Sequence, residues 1–206
     1  MAAHGHRSPL RNRFDDAPAP ATYYRPDTHH RDFYVATDGS FRPTTGDGGL
    51  GVVIETGDGE RVLRTALPAH VPDNNAAEYR ALHLGLDILA DRAPPDARIG
   101  VLVDHDELAA NVNTAAAAGH LSSRRVPVGV RVSPRNRFHW RGIRARIAGF
   151  SEVRAACLDG AENPAHRLAN VPEEYVHLRD RPAKCVLPPR RFPTPPTAGI
   201  ESEASD

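Results

Sequence analysis

The segment DNNAAEYRALHLGLDILADRAPP leaves this chain the fewest choices. Leu82, Leu86 and Leu89 recur at helical spacing, Asp73 or Asn74 can cap the start, and the Pro94-Pro95 pair stops the helix. Glu78 lies four, eight and eleven residues before those leucines, so it heads the stripe that has to pack against the rest of the fold. A carboxylate near a helix start is favoured by the helix dipole, but only by a few tenths to about 1 kcal/mol. An acid on the core side costs more than that unless it is paired or holds a cation. The helix therefore predicts both a sheet to pack on and a charged site at one end of it.

The flanking segments supply the sheet. FYVATDGS is strand-like, and GGLGVVIET and ERVLRTAL follow as two further β-rich runs around a turn at Gly57, Asp58 and Gly59. Three consecutive antiparallel strands are the simplest arrangement. Beyond the helix, RIGVLVD reads as a short buried strand ending on Asp104 and ELAANVNTAAAA as a helix. The strand, helix, strand order makes this strand parallel to an earlier one. A weaker helical pattern in FHWRGIRARIAGF, a strand EVRAACLD and a short helix near PAHRLAN complete an α/β chain with a mixed five-stranded sheet, three antiparallel strands then two parallel. Residues 1–31 lack apolar periodicity and residues 179–206 carry repeated prolines, so both are expected to be disordered tails around one domain at 32–178.

Charge distribution matters more than its sum. The formal net charge is zero, yet no Asp or Glu occurs from Leu108 to Ser151, where Arg124, Arg125, Arg131, Arg135, Arg137, Arg141, Arg144 and Arg146 accumulate. Lys184 is the only lysine, so the preference for arginine carries less weight than the clustering. Cys157 and Cys185 form no CxxC pair, which implies neither a disulfide framework nor a zinc site and suits a reducing, cytoplasmic setting. No apolar run approaches the ~20 residues that span a bilayer, so no membrane partner is expected.

Two further acids can join Glu78. Asp38 is read at the end of the first strand in TDGS, where Gly39 frees the backbone to turn; an ordinary turn aspartate is the alternative. Asp104 ends another buried run, and strand-end acids on adjacent strands converge, because ligand sites in such sheets lie off strand ends. Three carboxylates meeting there require a cation. Hard oxygen ligands suit Mg²⁺ or Mn²⁺, and two such ions roughly 4 Å apart are suited to phosphodiester hydrolysis.

The runs YVATDGS, GDGGLGVV, DNNAAEYRAL, VLVDHDEL and NPAHRLAN, in this order and spacing, resemble the successive motifs of the ribonuclease H family over residues 33 to 171. The resemblance implies the ribonuclease H-like fold, with helices on both faces of the sheet. It also implies a two-metal endonuclease that cuts the RNA strand of an RNA–DNA hybrid, with Asp38, Glu78 and Asp104 as metal ligands. Asn74 and Asn75 match asparagines that contact the hybrid, although both could cap the helix instead. The arginine segment, Arg141 and Arg144 included, occupies the place of a basic protrusion that holds the duplex. Of the aromatics there, Trp140 and Phe138 could stack on nucleotides, but anchoring a helix to the core is the preferred reading.

Three departures stand out. His166 falls where the family has a fourth carboxylate, and imidazole can also ligate a divalent ion. The loop LDGAENPA lacks the histidine some members place there, leaving Asp159 and Glu162 as substitutes in ligation or proton transfer. Asp73 stands where a small hydroxyl residue usually neighbours a phosphate, which a carboxylate would repel. A nucleic-acid-binding pseudoenzyme of the same fold, or a nuclease for structured DNA or double-stranded RNA, are the alternative readings. No protein partner is implied.

Overall fold

One sheet organises the chain, and its strand order is β3-β2-β1-β4-β5. The computed structural model describes residues 9–17, 31–120 and 129–175. Within them run α1 (Leu10–Asp16), β1 (Phe33–Phe41), β2 (Asp47–Thr56), β3 (Arg61–His70), α2 (Asn74–Ala90), β4 (Arg98–Val103), α3 (Asp106–His120), α4 (Arg137–Ile147), β5 (Glu152–Cys157) and α5 (His166–Asn170). β1, β2 and β3 pair antiparallel, β4 lies parallel to β1, and β5 lies parallel to β4. The expected mixed five-stranded sheet is therefore present, and β1 is the earlier strand that β4 joins. Glycines in the left-handed region make both tight connections, Gly46 at φ 73° before β2 and Gly59 at φ 86° before β3.

Alternation along the strands divides the core between two faces. Val35, Val52, Ile54 and Val101 point into the larger layer, with Leu82, Leu86 and Leu89 of α2, Leu108 and Val112 of α3, and Trp140, Ile143 and Ile147 of α4. Tyr34, Ala36, Val53 and Leu102 point the other way, onto Leu10 and Phe14 of α1 and Leu168 of α5. Each fully buried leucine of the α2 stripe contributes about 1.5–3 kcal/mol relative to exposure, and all three are fully buried. α2 can lie this close because Gly85 has no side chain: a Cβ there would sit 2.7 Å from Thr37 Cγ2.

Two expectations are corrected. Within the segment expected to be a disordered tail, residues 1–31, Leu10–Asp16 is helical, with Leu10 and Phe14 buried, and Arg31 is fully buried against Glu152 at 2.8 Å. Tertiary packing stabilises a helix too short to form alone. Asp38 and Gly39 are not at a turn either: β1 continues to Phe41, with Asp38 opposite Gly51 and Gly39 opposite Leu50. The expected C-terminal tail, Cys185, Arg124 and Arg125 lie outside the described residues. Among the described residues no helix is long and apolar enough to cross a membrane.

Candidate metal and nucleic-acid site

Gly39 explains how the acids meet. A Cβ at this position would lie 2.5 Å from Glu78 N and 2.6 Å from Ala77 O, so the first turn of α2 rests directly on the β1 backbone. That approach places Glu78 beside Asp38, and both are only 2 % exposed. β4 runs parallel to β1 and ends at Val103, which delivers Asp104 to the same place. α5 supplies the fourth group, with His166 Nδ1 3.0 Å from Asp38 Oδ2. Ligand atoms of Asp38, Asp104 and His166 all lie within 4.8 Å of one another. Glu78 packs behind them, where the start of α2 rests on Gly39.

The electrostatics of this cluster are unfavourable without a cation. Burial, then repulsion from Asp104, raises the Asp38 carboxyl from 3.8 to about 7, with His166 opposing the rise. Burial, then the neighbouring Asp38 and Asp104, raises Glu78 from 4.5 to about 10. Glu78 Oε2 and Asp104 Oδ1 are buried with no hydrogen-bond partner among the described residues. Carboxylates that hold protons on one another, with buried oxygens left over, fit a hard divalent ion. A mixed set with one imidazole still accepts such an ion.

The other expected residues divide. Asp73, not Asn74, caps α2, its Oδ1 accepting from Ala76 N at 2.7 Å. Its Oδ2 lies 3.3 Å from Arg135 Nη1, so the charge that would repel a phosphate has a cation beside it. Asn74 is exposed, and Asn75 Oδ1 accepts from Asn136 Nδ2 at 2.8 Å. Arg141 and Arg144 are exposed on α4, whereas Arg146 is paired with Asp87 of α2. Trp140 meets Tyr79 edge-on at 6.3 Å and anchors α4, while Phe138 is 51 % exposed. Asp159 and Glu162 are exposed and stand outside the three converging groups.

Two positioning asparagines escaped the sequence reading. Asn163 is buried, donates to Thr37 O at 2.9 Å and accepts from Ala165 N at 3.0 Å, stapling the α5 approach to β1. Its place before Pro164 marked a turn and nothing more. Asn136, buried behind Asn75, had no local signal at all.

Comparison with known proteins agrees with this geometry. A family model described as "Reverse transcriptase-like" matches residues 36–125. The N-terminal RNase H domain of a Mycobacterium tuberculosis protein superposes with a TM-score of 0.55 at 23% identity, covering 70% of this chain and 94% of that one. RNase H1 from the archaeon Halobacterium salinarum gives 0.54 at 23% identity, covering 69% and 97%. LC11-RNase H1, from a compost metagenome and solved in complex with an RNA/DNA hybrid, gives 0.54 at 20% identity, covering 70% and 96%. No curated protein sequence matches the chain significantly. The likeness to these solved structures shows a ribonuclease H-like fold for this chain, and the family model matches the part of it that runs from β1 to α3.

Proposed function

We propose that the protein is a metal-dependent endonuclease that hydrolyses the RNA strand of RNA–DNA hybrids. The observation that carries this reading is the convergence of Asp38, Asp104 and His166 at one sheet end, with the buried Glu78 behind them. Asp38, Glu78, Asp104 and His166 would hold Mg²⁺ or Mn²⁺, two ions in the family's arrangement. When bound, such ions supply an activated water and stabilise the leaving oxygen. The protein's own contribution is placement. Gly39 lets α2 set Glu78 against Asp38, and Asn163 holds the α5 approach in register. Asn74 and Asn75, at the start of α2, and the exposed Arg141 and Arg144 of α4 would hold the duplex, the arginines through phosphates without base readout. That one structural neighbour was solved with an RNA/DNA hybrid supports the choice of substrate. A reducing cytoplasm suits a sequence with two cysteines and no CxxC pair.

The test is a gel assay on labelled RNA–DNA hybrid, double-stranded RNA, duplex DNA and single-stranded RNA, with Mg²⁺, Mn²⁺ or chelator. Metal-dependent cutting of the RNA in the hybrid is expected, abolished by Asp38→Asn or Asp104→Asn with hybrid binding retained. Undiminished cutting by Asp38→Asn would show the site is misassigned. One observation favours a binding-only protein: His166 brings no negative charge and one of its nitrogens lies against Asp38. Metal that changes hybrid binding but yields no product on any substrate would establish that second reading.

A further inference from the structure

The helix α1 precedes both the family pattern and the segment that resembles it, yet it is built into the sheet. Its first amide, Leu10 N, donates to the buried Glu55 Oε2 on β2 at 2.8 Å. Phe14 meets Tyr34 of β1 edge-on at 5.5 Å. Gly100 on β4 leaves room for both rings, since a Cβ there would sit 2.6 Å from Tyr34 Cδ1 and 3.4 Å from Phe14 Cδ2. From this fixed base Arg13 Nη1 donates to the backbone carbonyl of Glu162.

That carbonyl belongs to a compact turn that reaches the site at both ends. Glu162 N and Asn163 N both bond to Asp159 O, at 2.9 and 3.1 Å, which closes residues 159–163 into one turn. A Cβ on Gly160 would lie 3.2 Å from Asp104 Oδ2, so the turn backs onto that carboxylate. At the other end Asn163 O accepts from His166 N at 3.0 Å and fixes the start of α5. A cleft of about 770 Å³ lies between α1 and this turn, lined by Arg13, Asp16, Asp106, Cys157, Asp159 and Glu162. Across it the Arg13 bond ties the helix directly to the turn.

We propose that α1 is a positioning element of the metal site: through Arg13 it holds the 159–163 turn, and thereby Asp104 and His166, in their converging arrangement. This rests on the metal-binding reading of those residues, and it assigns a role to a helix outside the family's pattern. Removing a partner one layer out from metal ligands typically weakens metal affinity 10–100-fold. Arg13 acts through a backbone turn, so the lower end, about tenfold, is expected.

The experiment is calorimetric titration of Mn²⁺ into the full chain without nucleic acid, alongside thermal unfolding in chelator. Arg13→Ala is expected to weaken Mn²⁺ binding about tenfold, and Arg13→Lys, which keeps a donor for the carbonyl, to restore most of it. Ile147→Val, a control on α4 at the opposite face of the sheet, is expected to lower the melting temperature without changing Mn²⁺ affinity. Parental Mn²⁺ affinity in Arg13→Ala, or equal weakening in Ile147→Val, overturns the proposal. A parent protein that binds no Mn²⁺ refutes the metal-site reading itself, so the two failures are distinct.

Discussion

Neutralising the buried acids is expected to stabilise the metal-free protein while destroying its response to metal. In the fold Asp38 is raised from 3.8 to about 7, chiefly by burial and by Asp104. The folded protein therefore keeps a proton that the unfolded chain has lost between about pH 4 and pH 7. The folded state then binds more protons than the unfolded one, so stability is fully present below the unfolded value and is lost as pH rises through the folded value. At about 1.4 kcal/mol per tenfold change in proton affinity, Asp38 accounts for about 4 kcal/mol. Glu78 is raised by burial and then by Asp38 and Asp104, so its share is not independent of that of Asp38 and is not added. Asp38→Asn and Glu78→Gln remove the charge at little change of shape. Each is expected to be more stable than the parent at pH 8 in chelator by about 2–4 kcal/mol, about 5–10 °C in melting temperature for a chain of this size. At pH 5, closer to the unfolded value, the difference should shrink to less than half of that. Mn²⁺ should stabilise the parent and leave both variants unmoved. Thermal unfolding at pH 5, 6, 7 and 8, with and without Mn²⁺, decides it. Parent stability that stays flat in chelator across this range, or variants no more stable at pH 8, would refute the reasoning.

Three other outcomes follow from single contacts. Gly39→Ala puts a Cβ against the backbone of Ala77 and Glu78, where no side chain can swing aside. It is expected to lose about 3 kcal/mol and most Mn²⁺ affinity, and an unchanged urea midpoint would contradict the close approach. Replacing Arg141 or Arg144 with Ala is expected to lower the salt slope of hybrid binding by about one per lost phosphate contact. Arg146→Ala should instead destabilise the α2–α4 contact through Asp87 and keep the slope; a slope unchanged in all three variants would make the segment solvated surface. The imidazole of His166 predicts more activity with Mn²⁺ than with Mg²⁺. His166→Asp is expected to raise Mg²⁺-supported cleavage and His166→Ala to lower it with either ion; metal titrations unaffected by both would make His166 a bystander.

What could be read from the sequence was what local periodicity encodes. The period that put Leu82, Leu86 and Leu89 in the core also put Glu78 there, so one of the two buried acids of the candidate site was legible from the helix alone. Asp38 was found as a residue but placed at a turn, because Gly39 after Asp reads as turn chemistry in any local window. Its real reason is the backbone of α2 lying across β1, a contact between residues nearly forty apart that no window contains. The same holds for α1. Leu10 and Phe14 give it one apolar pair on seven residues, too little for a periodic signal, and its stability comes from Glu55 and Tyr34 on strands that follow much later. Asn163 and Asn136 act on partners 126 and 61 positions away, and a buried amide carries no mark of its distant partner. Glu78 and Asp104 were legible as candidates because a helix stripe and a strand end constrain them locally, and Asp38 because an acid closes an apolar run. The residues that hold them in place were not, since their roles exist only once the sheet has assembled.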